Sequence, residues 1–248
     1  MSKKTGVSFQ SLSVFTIVLL GIWIWLGSLG RVDGQSGVER ARSVASRVEP
    51  QLKSDLNKVG LRYRSEVFIR IFKEERELEL WVKKGNVFQL FRTYPIAAMS
   101  GNLGPKLAEG DRQAPEGFYY VTSGSMKPDS SYHLAFNIGY PNAYDRAHGL
   151  TGSFIMVHGD NRSIGCFAMT DRKIEEIYTL CDAVLKNGQP YFRVHCFPFR
   201  MTKARMAQAK GHRWESFWKE IQPGYDWFEE KKVPPNVEVA EKRYLFGE

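Results

Sequence analysis

Residues 155–171 read I-M-V-H-G-D-N-R-S-I-G-C-F-A-M-T-D, and the interpretation of the whole chain depends on this stretch. It brings a histidine and a cysteine, His158 and Cys166, within eight residues of each other. Apolar residues lead into the histidine and a helical pattern of apolar residues begins at Thr170, which predicts a strand, a loop and a helix. A free thiol of pKa about 8.5 is mostly protonated at neutral pH, so cysteine catalysis needs a nearby base. The loop supplies both groups.

From these two residues alone, a buried structural cysteine and a hydrogen-bonded histidine are the simpler interpretation. The complete string favours a different one. His-Gly, followed by Ser-x-Gly-Cys, an apolar residue and Met169, resembles the catalytic signature of the L,D-transpeptidase (YkuD-type) enzymes of bacterial peptidoglycan.

Other motifs occur in the order expected of that family. They include A-P-E-G-F-Y at 114–119, N-I-G-Y-P-N-A-Y-D-R-A-H-G at 137–149 and P-G-Y-D-W-F-E at 223–229. Together they resemble the YafK branch of the family, which includes the amidase that detaches Braun's lipoprotein from peptidoglycan. The likeness extends from about residue 67 to residue 239.

One residue departs from the commoner family pattern. Ala168 stands two positions after the cysteine. In the ordinary L,D-transpeptidases that this string resembles, the same position usually holds an arginine. An arginine would offer a fixed fork of donors to a carboxylate or carbonyl oxygen, and an alanine offers none. The departure agrees with the YafK branch and weakens a direct transfer of cross-linking activity.

The resemblance implies acyl transfer through a cysteine nucleophile. Cys166 would attack the carbonyl of meso-diaminopimelate with His158 as base or ion-pair partner, and a thioester would form when the amine leaves. The N–H of Cys166 and one near Gly165 are expected to stabilise the oxyanion. Since no carboxylate is an evident partner of the imidazole, we expect a backbone carbonyl to orient it.

Four further residues are candidate substrate contacts, each with a structural alternative. Ser163 would donate to the substrate or fix the turn, and His148 would line the cleft or stabilise its own loop. Arg146 would bind a stem-peptide carboxylate or stay solvated, and Gly159 adjoins the catalytic histidine. The chain has no C-x-x-C or H-E-x-x-H pattern, so we predict no metal and no cofactor.

The predicted function is hydrolysis of the amide bond between meso-diaminopimelate and the C-terminal lysine of a Braun-type lipoprotein. An L,D-transpeptidase or L,D-carboxypeptidase acting on peptidoglycan stem peptides is the alternative, because the same thioester serves all three. An inactive peptidoglycan-binding scaffold is a further alternative. The net charge of +8 suits an anionic partner, but no nucleic-acid motif is present.

Residues 1–30 resemble an export signal. Lys3 and Lys4 precede an apolar run at 12–29, about the shortest length that spans a bilayer as a helix. Lysines before the run predict a cytoplasmic N-terminus and an exported remainder. We favour a retained anchor in the inner membrane over a cleaved secretory signal, and in both cases the protein is periplasmic.

The rest of the chain is predicted to be mainly β with packed helices, an L,D-transpeptidase-like β-sandwich. A linker or packing arm is expected at 31–60, a catalytic domain at 61–202, and a helical extension and tail at 203–248. Apolar patterns predict strands at 66–72, 77–83, 87–96, 118–122, 133–138, 154–158 and 191–197, and helices at 171–186 and 203–220. Cys181 and Cys196 are expected to be buried, with a disulfide between them possible in an oxidising compartment.

Overall fold

A five-stranded sheet forms the centre of the computed structural model, which describes residues 32–247. Its strands lie in the order β3-β2-β1-β9-β4, with bounds β1 Val67–Phe72, β2 Glu77–Lys84, β3 Val87–Pro95, β4 Gly117–Thr122 and β9 Tyr191–Phe197. The antiparallel meander β1-β2-β3 confirms the prediction from the sequence, and β9 joins β1 in parallel.

The central strand β1 is buried on both of its faces. Ile69 and Ile71 belong to one core cluster, whereas Phe72 belongs to a second and Phe68 to a third. Successive side chains of a strand point to opposite faces, so β1 contacts apolar layers on both sides of the sheet. This explains why its sequence is almost continuously apolar rather than alternating.

A second, four-stranded sheet carries the histidine and cysteine. Its order is β5-β6-β7-β8, with bounds β5 Met126–Lys127, β6 Ala135–Asn137, β7 Met156–His158 and β8 Phe167–Ala168. β7 pairs antiparallel with β6 and parallel with β8. The predicted strands at 133–138 and 154–158 are present but shorter, and β8 was not predicted.

Two long helices cover the main core. The helix α1 spans Val32–Lys58, and its Val44, Leu52 and Leu56 are buried in the main cluster. It is one continuous helix, and it packs as an arm on the later helix Asp171–Lys186. That helix, α3, has the predicted bounds, and a short helix α2 lies at Ala143–Ala147.

The C-terminal region differs from the prediction. The expected helix at 203–220 is interrupted, giving α4 at Lys203–Gln208 and α5 at Glu215–Lys231. The break lies near Gly211, whose φ of 80° is in the left-handed region and cannot continue a right-handed helix. The predicted tail after Pro235 is instead a hairpin of β10 Asn236–Ala240 and β11 Arg243–Gly247.

The fold is therefore mixed α/β, with two main sheets and packed helices, and it contains more helix than the mainly β prediction expected. None of the helices within residues 32–247 is both long and apolar enough to cross a bilayer. The predicted membrane segment at 12–29 lies outside the described residues. Cys181 and Cys196 are buried as predicted, and both are free thiols.

Candidate active site

His158 is the last residue of β7, and its side chain is almost completely buried. Its Nδ1 lies 2.5 Å from the carbonyl oxygen of Gly159. A carbonyl oxygen only accepts, so the proton of a neutral imidazole sits on Nδ1, and Nε2 is left as the basic nitrogen. The expected orientation of the ring by a backbone carbonyl is confirmed.

Cys166 is the residue immediately before β8, and it is half-buried. The thiol Sγ accepts from the N–H of Met156 at 3.4 Å and lies 3.6 Å from the carbonyl oxygen of Phe154. The hydroxyl of Ser163 donates to the Cys166 carbonyl at 2.6 Å. Ser163 therefore fixes the turn that presents the cysteine, which is the structural alternative expected for it.

Strand register places His158 and Cys166 on neighbouring segments of the second sheet. β7 and β8 pair Val157 with Phe167 and His158 with Ala168, so Cys166 is level with Met156. Side chains two positions apart on a strand share a face, which places His158 and Cys166 on the same face as diagonal neighbours. Strand spacing and rise put their Cα atoms about 8 Å apart, and no hydrogen bond joins the two side chains in the described structure.

The loop between the two residues is closed by the start of α3. The Asp171 carboxylate accepts from the N–H of Asp160 at 2.8 Å, and the Thr170 N–H donates to the Asp160 carbonyl at 2.8 Å. A Cβ on Gly159 would lie 2.7 Å from the Tyr132 carbonyl oxygen. Gly159 thus has a packing role, and its predicted substrate contact stays a prediction.

Gly165 adopts the left-handed conformation, with φ of 100°. Its backbone lies beside that of Arg112 and Gln113, and a Cβ there would be 3.7 Å from the Gln113 carbonyl oxygen. Within residues 32–247, the N–H groups of Gly165 and Cys166 donate to no other protein group. Two donors beside the thiol are therefore free for a substrate oxygen.

Burial sets the charge state of the pair. It lowers the pKa of His158, although the Gly159 carbonyl and the charge of Asp160 act in the opposite direction. Burial also raises the pKa of the Cys166 thiol, although the Met156 N–H and the charge of Lys106 partly offset it. At neutral pH the pair therefore rests as a neutral imidazole and a neutral thiol, which favours His158 as a general base over an ion-pair partner.

Lys106 lies near the Cys166 thiol, although no role was predicted for it from the sequence. Its ammonium donates to the Asp111 carboxylate at 2.6 Å and to the Ala108 carbonyl at 2.8 Å. The side chain is buried, so its positive charge acts on the Cys166 thiol through protein rather than water.

His148 and Arg146 contact other groups. The Nε2 of His148 lies 2.8 Å from the Lys242 carbonyl oxygen, and its ring is 4.3 Å from that of Tyr144. Arg146 donates to the carbonyl of Pro141. Neither residue has a contact with His158 or Cys166 in the described structure, so their substrate roles stay predictions.

Exposed or aromatic apolar side chains lie in the segments next to His158 and Cys166. Phe154 is 67% exposed and Ile164 is 73% exposed, and the Tyr132 ring lies 4.7 Å from the His158 ring. Exposed apolar side chains next to a candidate site are typical of a binding surface. Within residues 32–247, no three His, Cys, Asp or Glu side chains form a set that could hold a metal ion.

Comparisons with known proteins agree with this geometry. The family model for the YkuD L,D-transpeptidase catalytic domain matches residues 66–220. The protein named "Putative L,D-transpeptidase YafK" in Escherichia coli K12 is 51% identical over 181 residues, which are 73% of this chain and 74% of that protein. The protein of the same name in strain O157:H7 gives the same values, 51% identity over 181 residues.

A solved structure shares a more distant likeness. The helical cell shape determining protein Pgp2 from Campylobacter jejuni is 18% identical, with a TM-score of 0.44 over 77% of this chain and 80% of that one. The family match and the YafK relatives confirm the resemblance found in the sequence. The chain therefore belongs to the L,D-transpeptidase family, whose members act on peptidoglycan peptides.

Proposed function

We propose that this protein is a periplasmic cysteine hydrolase that cuts the amide bond between meso-diaminopimelate and the C-terminal lysine of a Braun-type lipoprotein. The placement of His158 and Cys166 on one face of the β7-β8 pair supports the reaction type. Family membership supports the peptidoglycan substrate. Anchoring in the inner membrane through residues 12–29 is part of the proposal.

The first half of the reaction forms a thioester. The Nε2 of His158 takes the proton of the Cys166 thiol as Sγ attacks the carbonyl carbon. The free N–H groups of Gly165 and Cys166 bind the oxyanion that develops, and the loss of one such donor typically costs about 2.7–4 kcal/mol of transition-state stabilisation. The imidazolium then returns its proton to the lysine amine as the C–N bond breaks.

The second half regenerates the thiol. His158 takes a proton from water, the resulting hydroxide attacks the thioester carbonyl, and Cys166 leaves with a proton from the imidazolium. A carboxylic acid remains on the diaminopimelate and the lipoprotein is free. An amine in the place of that water would give a cross-link instead, so the acceptor decides the product.

Ala168 supports water as the acceptor. The side chain is fully buried, and its backbone N–H donates to the Ala98 carbonyl at 2.9 Å. This position therefore offers no donor to an incoming peptide. Firm positioning gives a bound acceptor an advantage of roughly 7–11 kcal/mol in well-oriented systems, so a cross-linking enzyme depends on such contacts.

Sacculi that carry bound lipoprotein provide the test. We expect the full chain to release lipoprotein and to form no 3-3 cross-links when defined tetrapeptide donors and acceptors are added. Mass spectrometry of the released material and the muropeptides separates the products, with Cys166→Ala as the control that releases nothing.

Four outcomes would contradict the proposal. Abundant 3-3 dimers would make the protein a transpeptidase, and trimming of tetrapeptides to tripeptides with lipoprotein still attached would make it a carboxypeptidase. Equal release by the wild type and Cys166→Ala would remove Cys166 as the nucleophile. A thiol at Cys166 that fails to react with a mild alkylating reagent would favour the inactive scaffold.

A further inference from the structure

A large cavity lies far from the catalytic loop. It has a volume of about 1010 Å³ and is formed by the chain before β1, the β2-β3 turn and the connection from α3 to β9. The start of α3 closes the catalytic loop, whereas its end at Asn187 lines this cavity. A helix of 16 residues is about 24 Å long, so the two sites lie at opposite ends of α3.

The cavity is strongly basic. Among the described residues, Glu66 is the one carboxylate in its lining, and it is already paired with Lys83. Four cations remain without a carboxylate partner in the described structure: Arg62, Arg64, Lys84 and Arg193. We name this feature the basic cavity.

The fold itself does not account for these cations. Lysines at helix C-termini stabilise the helix dipole, and Lys58 and Lys186 already take these positions on α1 and α3. The four unpaired cations of the basic cavity lie instead on loops and strands. The Glu49 carboxylate forms its ion pair with Lys53, although the positive charge of Arg64 also helps to lower the pKa of Glu49. The cavity therefore retains an excess of positive charge that an anionic ligand would neutralise.

Two exposed aromatic rings, those of Tyr191 and Tyr120, lie at and next to the basic cavity. Tyr191 lines the basic cavity, and the Arg193 guanidinium lies 5.2 Å from the centre of its ring. The Tyr120 ring is 5.6 Å from that of Tyr191, and the two are 59% and 36% exposed. An aromatic ring combines an apolar face with a polar edge, so it suits a ligand that has both apolar faces and polar groups.

We propose that the basic cavity and the adjoining Tyr120–Tyr191 surface form a second, non-catalytic binding site for peptidoglycan, in which carboxylates of stem peptides meet the cations and sugar rings stack on the tyrosines. This inference rests on the proposed function for its substrate. A site at the end of α3 that is remote from the catalytic loop would engage another part of the same polymer and raise the avidity for sacculi without touching the bond that is cut.

Binding to sacculi by the full chain, made inactive by Cys166→Ala, is the test, because it does not depend on turnover. Replacing Arg62, Arg64 and Lys84 by Gln should weaken pelleting with sacculi roughly tenfold or more, and added salt should weaken it further. Lys203→Gln, Lys210→Gln and Arg213→Gln together form the matched control, since all three are exposed cations and the net charge changes equally. The control should bind within about twofold of the parent.

With Cys166 intact, the triple variant should cleave a small soluble muropeptide amide at the wild-type rate. Equal binding of both triple variants to sacculi would overturn the proposal. Binding to anionic phospholipid vesicles that matches binding to sacculi, and that the Arg62, Arg64 and Lys84 changes abolish, would also overturn it in favour of a membrane surface. If cleavage is absent but the cavity variant alone loses binding, the proposed hydrolase activity fails and the second site stands.

Discussion

Two polar pairs in this protein, Lys73 with Glu116 and His158 with Cys166, differ in how completely their hydrogen bonds are satisfied. The ammonium of Lys73 contacts the carbonyls of Gly104 at 2.7 Å and Ala114 at 2.8 Å, and the Glu116 carboxylate at 3.0 Å. Glu116 in turn accepts from the Gly104 N–H at 2.6 Å and from the Trp218 indole at 2.9 Å. Each charged group therefore has several partners.

The proposed catalytic pair, His158 and Cys166, is the opposite case. His158 uses one ring nitrogen on the Gly159 carbonyl, and the Cys166 thiol has only long contacts. A buried polar group with all partners in place gives rigidity, whereas one with spare capacity is available for chemistry. The first pair fixes the 104–116 loop, and that loop supports Gly165 beside the thiol. The Lys73–Glu116 pair thus stabilises the loop that lies beside the His158–Cys166 site.

The substitution His158→Gln, in the proposed catalytic pair, should have the largest effect on activity. A glutamine cannot take the thiol proton, and general-base catalysis typically contributes about 10²–10⁴-fold, so kcat/KM should fall by that factor while the protein stays folded. The wild type should lose activity as the pH falls through the lowered His158 pKa, and this acidic limb should be absent from the variant. Steady-state rates from pH 4 to 8 would show this, with His212→Gln as the control that retains the wild-type profile.

The supporting pair is tested by Glu116→Gln. The change leaves the buried Lys73 ammonium without its counter-charge, which typically costs about 3–5 kcal/mol of stability. Urea unfolding should show this loss, and the double variant Lys73→Met with Glu116→Leu should recover part of it. A single-variant loss below about 1 kcal/mol would mean that the pair is not the rigid support described above.

A third prediction concerns Asp145, which is buried and whose pKa burial raises to about 6. The pKa of Asp145 is higher in the folded protein than in the unfolded chain. At a pH between the two values, the folded protein therefore holds a proton on Asp145 that the unfolded chain has lost. The stabilisation from this proton is fully present below about pH 4 and is lost as the pH rises through about 6.

Asp145→Asn is the matched variant for that effect. Both the Asn142 N–H and the Tyr119 hydroxyl donate to one carboxylate oxygen, Oδ2, and an amide oxygen can replace it. From pH 4 to pH 7, the wild type should lose up to about 3 kcal/mol of unfolding free energy relative to the variant. Parallel pH dependences for the two proteins would remove Asp145 as the titrating group.

Ser163→Ala should give the smallest effect. Its hydroxyl donates to the Cys166 carbonyl at 2.6 Å, and a typical net hydrogen bond contributes about 0.5–1.5 kcal/mol. We therefore expect at most about a tenfold fall in kcat with little change in KM. A large rise in KM at unchanged kcat would show instead that Ser163 contacts the substrate, which is the other role predicted for it.

The parts of this fold that the sequence predicted depend on local patterns. The meander strands, β9 and α3 carry clear periodicity, and the two proposed catalytic residues lie in a family-specific string. The pairing of Lys73 with Glu116 could not be predicted, because the residues are 43 positions apart and carry no local signal. The register that aligns Cys166 with Met156 likewise exists only in the folded sheet.

The C-terminal hairpin was missed for a physical reason. Its turn residues, Glu241 and Lys242, both have positive φ, at 50° and 62°. Such turns usually contain asparagine or glycine, so this pair of residues gives no hairpin signal. The helix at 203–220 was predicted as continuous because a single glycine, Gly211, is a weak signal for a break, whereas the apolar spacing of Trp214, Trp218 and Ile221 belongs to α5 alone.

The central claim is that Cys166 carries the acyl group during turnover, and mass spectrometry of the enzyme under single-turnover conditions tests it most directly. A soluble muropeptide with a lysine amide on meso-diaminopimelate would be mixed with excess protein and quenched in acid over a range of times. We predict that the peptide containing Cys166 gains the mass of the acyl group as lysine is released, that His158→Gln slows this gain, and that Cys166→Ala shows neither adduct nor release. Release of lysine while Cys166 stays unmodified at every time would contradict the account.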